Sequence, residues 1–145
     1  MQNEIRKMSL KDKPLVLEMM NTFYSSPAVL TNGSYEIFNS DIENCLSDSP
    51  YLEGYVFENQ LGVLGYAMVA KSFSTEFGKP CVWIEDLFVK TEFQGQGVGR
   101  SFLDFITKKY PNHLFRLEVE KENEKAVKLY QSFDFSFLPY LEMKK

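Results

Sequence analysis

The densest chemistry in this chain lies in seven consecutive residues, Gln94-Gly95-Gln96-Gly97-Val98-Gly99-Arg100. They join an apolar stretch that reads as a strand to an amphipathic stretch that reads as a helix. Glycines at such a junction let successive backbone N–H groups converge on an anion at the helix N-terminus, where the helix dipole also favours negative charge. The run therefore suits a pyrophosphate. It differs from two familiar phosphate loops, because no Gly-Lys-Ser/Thr follows and the glycines are spaced GxGxG rather than GxGxxG. A plain glycine turn capping a helix is the alternative. The second concentration of chemistry is Glu85-Asp86, two carboxylates interrupting an apolar strand. Cys45 and Cys81 belong to no CxxC pair and neither neighbours the single histidine, His113, so they read as small buried hydrophobes and no metal site is expected.

The elements that must position these residues follow from periodicity. Glu4 to Met8 reads as a short strand. Ser9-Leu10-Lys11-Asp12 has the form of a helix N-cap with an acid three residues on. The helix that follows, to about Tyr24, carries Val16, Met19, Met20 and Phe23 at i, i+3, i+4, i+7. A second helix, Ser34 to Leu46, buries Phe38, Ile42, Cys45 and Leu46. Tyr51 to Phe57 and Leu61 to Ala70 read as an antiparallel hairpin. Cys81 to Val89 is apolar on both alternation phases, as in a central strand covered on both faces. Val98 to about Tyr110 is a helix, Leu114 to Val119 a strand, Asn123 to Phe133 a helix, and Phe135 to Met143 one or two closing strands split near Pro139. The predicted order is β-α-α-β-β-β-α-β-α-β(β), a mixed α/β (α+β) sheet with helices on both faces.

A chain of 145 residues suits one domain spanning 1–145, and 44% hydrophobic with 15% aromatic residues excludes disorder. No apolar run approaches the roughly 18 residues that span a bilayer, and Met1 to Ser9 lacks the apolar core of a secretory signal. A cytoplasmic location with no membrane partner is the expectation. The net charge of −4 argues against a nucleic-acid partner. Its distribution is uneven: between Lys13 and Lys71 there is no Lys or Arg, while Glu18, Glu36, Asp41, Glu43, Asp48, Glu53 and Glu58 are all negative.

The loop resembles the signature of the GNAT acyltransferase superfamily, Gln/Arg-x-x-Gly-x-Gly/Ala, at Gln94, Gly97 and Gly99. A second motif of that family, Asn-x-x-Ala-x-x-x-Tyr, is matched by Asn123, Ala126 and Tyr130, and Trp83 to Val89 is similar to the central strand of its diamine N-acetyltransferase branch. The element order is also the family's, so the resemblance covers nearly the whole chain. It implies a mostly antiparallel central sheet of six or seven strands, acetyl-CoA as co-substrate, and direct acetyl transfer to a primary amine. The amides from Gly95 through Gln96, Gly97, Val98 and Gly99 to Arg100 would hold the pyrophosphate. The strand edge at Leu87, Phe88 and Val89 would receive the pantetheine through the backbone of Leu87 and Val89, opened by a bulge near Glu85-Asp86. Asn123 and Ala126 would line its far side, and Lys90, Arg100, Lys125 and Lys128 would meet the remaining phosphates, the alternative for the lysines being plain solvation.

The reaction so implied needs a group to take the proton of an ammonium whose pKa is near 10.4. Glu85 is the candidate base, acting through a water, because an apolar strand disfavours its charged form. A purely structural Glu85, with Asp86 as the base, is the alternative. Tyr130 would protonate the leaving thiolate, or else is simply a packed aromatic. The acidic N-terminal half would steer a cationic acceptor such as a polyamine, an aminoglycoside or a basic amino-acid derivative, with Tyr24 and Tyr35 lining its site. Those acids otherwise only solvate helix faces. A protein or peptide N-acetyltransferase and a catalytically silent acyl-CoA-binding module remain the competing functions, and a homodimer is compatible with the family. Asp134 stands where the family often has glycine and is expected to be locally strained.

Overall fold

Five strands form one sheet in the computed structural model of the chain, which describes residues 2–145. They are β1 (Glu4–Lys7), β2 (Leu52–Asn59), β3 (Gly62–Ser74), β4 (Lys79–Val89) and β5 (Leu114–Leu117), lying side by side in chain order. The first three pairings are antiparallel and β4–β5 is parallel. That single parallel pair needs a crossover, supplied by α3 (Val98–Lys109). The other helices are α1 (Lys13–Tyr24), α2 (Tyr35–Leu46) and α4 (Glu124–Gln131).

Period-two alternation sorts the sheet residues between two cores. Val56, Tyr66 and Met68 face Val16, Met19 and Met20 of α1 and Phe38 and Ile42 of α2. Tyr55, Phe57, Val69 and Ile84 face Phe102, Leu103 and Ile106 of α3. Phe102 is wholly buried, with ring centroids 5.9 Å from Tyr55 and 5.4 Å from Phe57. The entry to α1 is fixed as its sequence predicts: the Ser9 N–H donates to Asp12 Oδ2 at 2.8 Å, and Pro14 sits in the first turn, where its missing N–H costs nothing.

The predicted closing strands are absent. The sheet has five strands rather than six or seven, and residues 136–145 have no regular structure. Phe135 explains the difference. Its N–H donates to the Tyr130 carbonyl at 3.2 Å and its ring packs 5.8 Å from Tyr130, so it closes the end of α4 instead of opening a ladder. Asp134 makes that reversal with φ of 67°, the left-handed position expected of it. Pro139 then removes a donor, and Phe137, Leu141 and Met143 point outward. Cys45 is only half-buried, while Cys81 is buried; both are free thiols.

Candidate active site

The site begins where β4 and β5 part. Their register runs from Cys81↔Leu114 to Ile84↔Leu117 and stops, although β4 continues to Val89. On the other side of β4 the ladder slips by one residue: Ile84 opposes Val69 and Asp86 opposes Met68, leaving Glu85 without a partner. Glu85 is therefore the extra residue of a β-bulge, which re-aims its side chain at the point of divergence. Beyond it the Lys90 N–H bonds to the Leu64 carbonyl at 2.9 Å. Bonded pairs alternate in an antiparallel ladder, so the backbone groups of Leu87 and Val89 face away from β3, toward the open side. The Val89 carbonyl is already occupied, accepting from Gln94 Nε2 at 3.0 Å. The Phe88 ring points to the other face, against Phe23 and Tyr66, so only its backbone lies at the split.

The loop follows directly. Gly95 and Gly97 adopt φ of 76° and 83°, and a Cβ at either would meet nothing within 4 Å, so backbone conformation alone is the reason for glycine. None of the backbone N–H groups from Gly95 to Arg100 finds an acceptor among the described residues. Six unpaired donors in succession at the start of α3 fit a pyrophosphate. Gly99 serves packing instead: a Cβ there would stand 3.3 Å from Leu129 Cδ2 of α4. Gln96 Nε2 donates to the Glu92 carbonyl at 3.3 Å, and Arg100 reaches α4, donating to Ser132 Oγ at 3.0 Å with its guanidinium over Phe133.

Between the diverging strands lies a cavity of about 100 Å³ whose lining includes Glu85, Leu87, Asn123, Ala126 and Tyr130. Asn123 caps α4, its Oδ1 accepting from the Ala126 N–H at 3.4 Å, which fixes both residues on the cavity wall. The Tyr130 hydroxyl has no partner among the described residues, and burial pushes its pKa up to about 12. A larger groove of about 1040 Å³ shares Glu85, Phe23 and Tyr130 and extends past Tyr24 to the C-terminal segment. Tyr35 is exposed and lines neither cavity, because α2 turns it to solvent.

Carboxylates crowd this place. Partial burial, then the charges of Asp86, Asp41 and Glu142, push Glu85 above its ordinary value. Asp41 rises to about 6 through burial and the nearby Asp86. Glu118, just past β5, is pushed up to about 7, chiefly by the neighbouring Glu142 carboxylate, with burial and Glu85 adding to the effect. Asp86 is 3% exposed and accepts from the Tyr24 hydroxyl at 2.9 Å and the Tyr66 hydroxyl at 2.7 Å. The acidic N-terminal half contributes less than its charge suggests: Glu58 pairs with Arg6, Glu43 with Lys13, and Glu53 with Lys7, Lys71 and Lys109. Of the seven acids in that run, Asp41 is the one coupled to Glu85 and Asp86.

Residues 16–135 match the model of the Acetyltransferase (GNAT) family. The chain belongs to this family. Among curated relatives, the thialysine N-epsilon-acetyltransferase of Mus musculus is 35% identical over 72 residues, and that of Sus scrofa is 33% identical over 73. Each match covers 48% of this chain and 42% of the relative, so under half the length of these proteins is represented. Solved structures share the GNAT fold across the full length. A possible acetyltransferase from Clostridium difficile 630 superposes with a TM-score of 0.82 at 19% identity, covering 100% of this chain and 97% of its own. The aminoglycoside N-acetyltransferase AAC(6')-Iy, solved with CoA, gives 0.79 at 15% identity, covering 99% and 94%.

Sequence reasoning missed Glu118 and Glu142 on the groove wall, and Tyr66 as a partner of Asp86. The signal for Glu118 was present: it follows Leu117, where a strand pairing with an interrupted central strand must itself diverge. Glu142 had none, because it lies in the segment predicted to be a strand.

Proposed function

We propose that this chain is an acetyl-CoA-dependent N-acetyltransferase that passes an acetyl group directly to the primary amine of a small cationic acceptor. The observation that carries the reading is a coincidence of place. A carboxylate and an unpartnered phenol, Glu85 and Tyr130, line one cavity at a strand split, and six unpaired amides stand next to it. Acetyl-CoA, when bound, supplies an activated acetyl thioester. The amides from Gly95 to Arg100 hold its pyrophosphate, the Leu87–Val89 edge its pantetheine, and Asn123 and Ala126 flank it. Glu85 accepts the proton of the incoming ammonium through a water, its raised proton affinity suiting it to that task. The Tyr130 hydroxyl, protonated at neutral pH, gives its proton to the leaving thiolate and is restored by the second proton that the nitrogen sheds as the amide forms. Glu85, Glu118 and Glu142 on the groove wall, with Asp41 and Asp86 close enough to raise Glu85, support a cationic acceptor. The relatives' names, for thialysine and aminoglycosides, agree with amine acceptors.

Melting with acetyl-CoA at about 100 times its Kd should add roughly 2.7 kcal/mol, or about 9 °C for this chain length, with NAD and ATP as controls. Thiol release with spermidine should follow. A shift without turnover of any amine would favour a silent acyl-CoA-binding module, and acetylated peptide as the product would favour a protein N-acetyltransferase.

A further inference from the structure

Glu85 and Asp86 are adjacent in sequence but differ in what surrounds them. Glu85 is exposed to both cavities and has no hydrogen-bond or ion-pair partner among the described residues. Asp86 is buried, and each of its oxygens accepts one phenolic proton, Oδ1 from Tyr24 and Oδ2 from Tyr66. Burial raises both phenols well above their ordinary values, so they remain donors. Burial pushes the proton affinity of Asp86 up, and the bonds from Tyr66 and Tyr24 oppose that by favouring the carboxylate form. Tyr24 is the last residue of α1 and Tyr66 lies on β3, so one carboxylate ties the end of α1 to the sheet at the bulge.

We infer that Asp86 is a positioning residue: a fixed anion, pinned by Tyr24 and Tyr66, that holds the end of α1 at the acceptor side and stands behind Glu85, which alone moves the proton. This rests on the acyl-transfer reading above. The end of α1 matters because Phe23, Tyr24 and the following Ala28 to Thr31 form one wall of the larger groove. The anion matters because the charged groups that raise Glu85 are carboxylates, Asp86 on β4, Asp41 on α2 and Glu142 in the C-terminal segment, with Glu118 past β5 on the same cavity wall. The phenols facing it are Tyr24 of α1 and Tyr130 of α4. Lys79 and Arg116 are the cations that share the larger groove with Glu85; each carboxylate near Glu85 makes it a better proton acceptor, and Asp86 is the nearest along the chain.

The test is a carboxyl 13C NMR titration of the ligand-free protein, labelled at Glu and Asp, beside pH profiles of kcat/KM for spermidine. Asp86→Asn keeps the shape and removes the charge; the Glu85 midpoint should fall by about one unit, and the acid limb of the profile should move down equally. Tyr24→Phe keeps the charge and one of its two donors. The Asp86 midpoint should then rise by about half a unit, while the KM for spermidine rises about tenfold and that for acetyl-CoA does not move. A Glu85 midpoint within 0.2 unit of wild type in Asp86→Asn, or an Asp86 midpoint unmoved in Tyr24→Phe, overturns the inference. So does a Glu85→Gln variant that keeps most of its kcat while Asp86→Asn loses all of it. The NMR arm needs neither acetyl-CoA nor amine. Midpoint shifts in the variants, with no amine turned over by the wild type, would thus count against acyl transfer and for the electrostatic role of Asp86.

Discussion

Gly97 is the residue on which the proposed pyrophosphate cradle turns, and replacing it with alanine isolates one cost. It caps α3 with φ of 83° and ψ of 12°, and a Cβ there would touch nothing within 4 Å. No steric contact enters; the penalty is that of holding an L-residue in the left-handed region, about 1–2 kcal/mol. Unfolding entropy near 2.1 cal/mol/K per residue gives about 0.3 kcal/mol/K for this chain length, so Tm should fall by about 3 to 7 °C. Relaxing φ would recover part of that loss but would turn the Val98 and Gly99 amides away from the anion. A tenfold weaker acetyl-CoA complex would cut the ligand-induced Tm rise by about 1.4 kcal/mol, or about 5 °C. Calorimetric melting with and without acetyl-CoA reads both effects. Gly99→Ala is the control: it lies within α3 at an ordinary φ, and helix propensity, worth up to about 1 kcal/mol, is set against a flexible Leu129 side chain at 3.3 Å. It should melt within about 2 °C of wild type. If Gly97→Ala melts with wild type and gains as much from acetyl-CoA, neither the strained turn nor the cradle is as argued.

Tyr130→Phe should lower kcat about 100-fold, the low end for a lost general acid, with acetyl-CoA affinity by calorimetry within twofold of wild type. Phe102→Ala should cost about 3–5 kcal/mol in urea unfolding, since the ring is wholly buried between Tyr55 and Phe57. Acid should destabilise the fold through two groups. The Arg6 hydrogen bonds, aided by those from Ser9, hold Asp12 at about 2, and at Glu53 burial pushes upward but bonds from Tyr110, Tyr55 and Lys71 outweigh it, leaving it also at about 2. Both folded values are depressed, so these contributions, about 2 and 3 kcal/mol, are complete above about pH 4.5 and lost as pH falls toward 2. Glu53→Gln should flatten that part of the Tm–pH curve. Acetylation of spermidine should slow with added salt more than that of an uncharged amine of similar size; equal slowing would remove electrostatic steering.

The features that were legible in the sequence are those a few neighbouring residues decide. Val16, Met19 and Met20 are buried as their spacing predicts, and Ser9 and Asp12 form the expected box. The glycine loop and the interruption at Glu85 were visible because a positive φ and a bulge each leave a local mark. The closing strands failed for a related reason. Phe135 to Met143 has strand composition, but whether it pairs depends on where α4 ends, and the Tyr130–Phe135 contact that ends it is a matter of packing.

Charge at the cavity shows the limit of local reading most clearly. Counting along the chain located the negative potential between Lys13 and Lys71, and three of the seven acids there, Glu43, Glu53 and Glu58, are neutralised by lysines or arginine brought in from Arg6, Lys7, Lys13, Lys71 and Lys109. The carboxylates gathered around Glu85 come instead from α2, the bulge itself, the residue after β5 and the C-terminal segment. They come from four separate regions of the chain, brought together only because β4 and β5 diverge at Ile84 and Leu117. A sum over sequence windows cannot detect such a group, and a cationic acceptor would respond only to the assembled one. The split between two parallel strands thus has two consequences at once: it exposes the β4 edge beside the glycine loop, and it gathers the acids on which the proposed preference for an ammonium over a neutral amine rests.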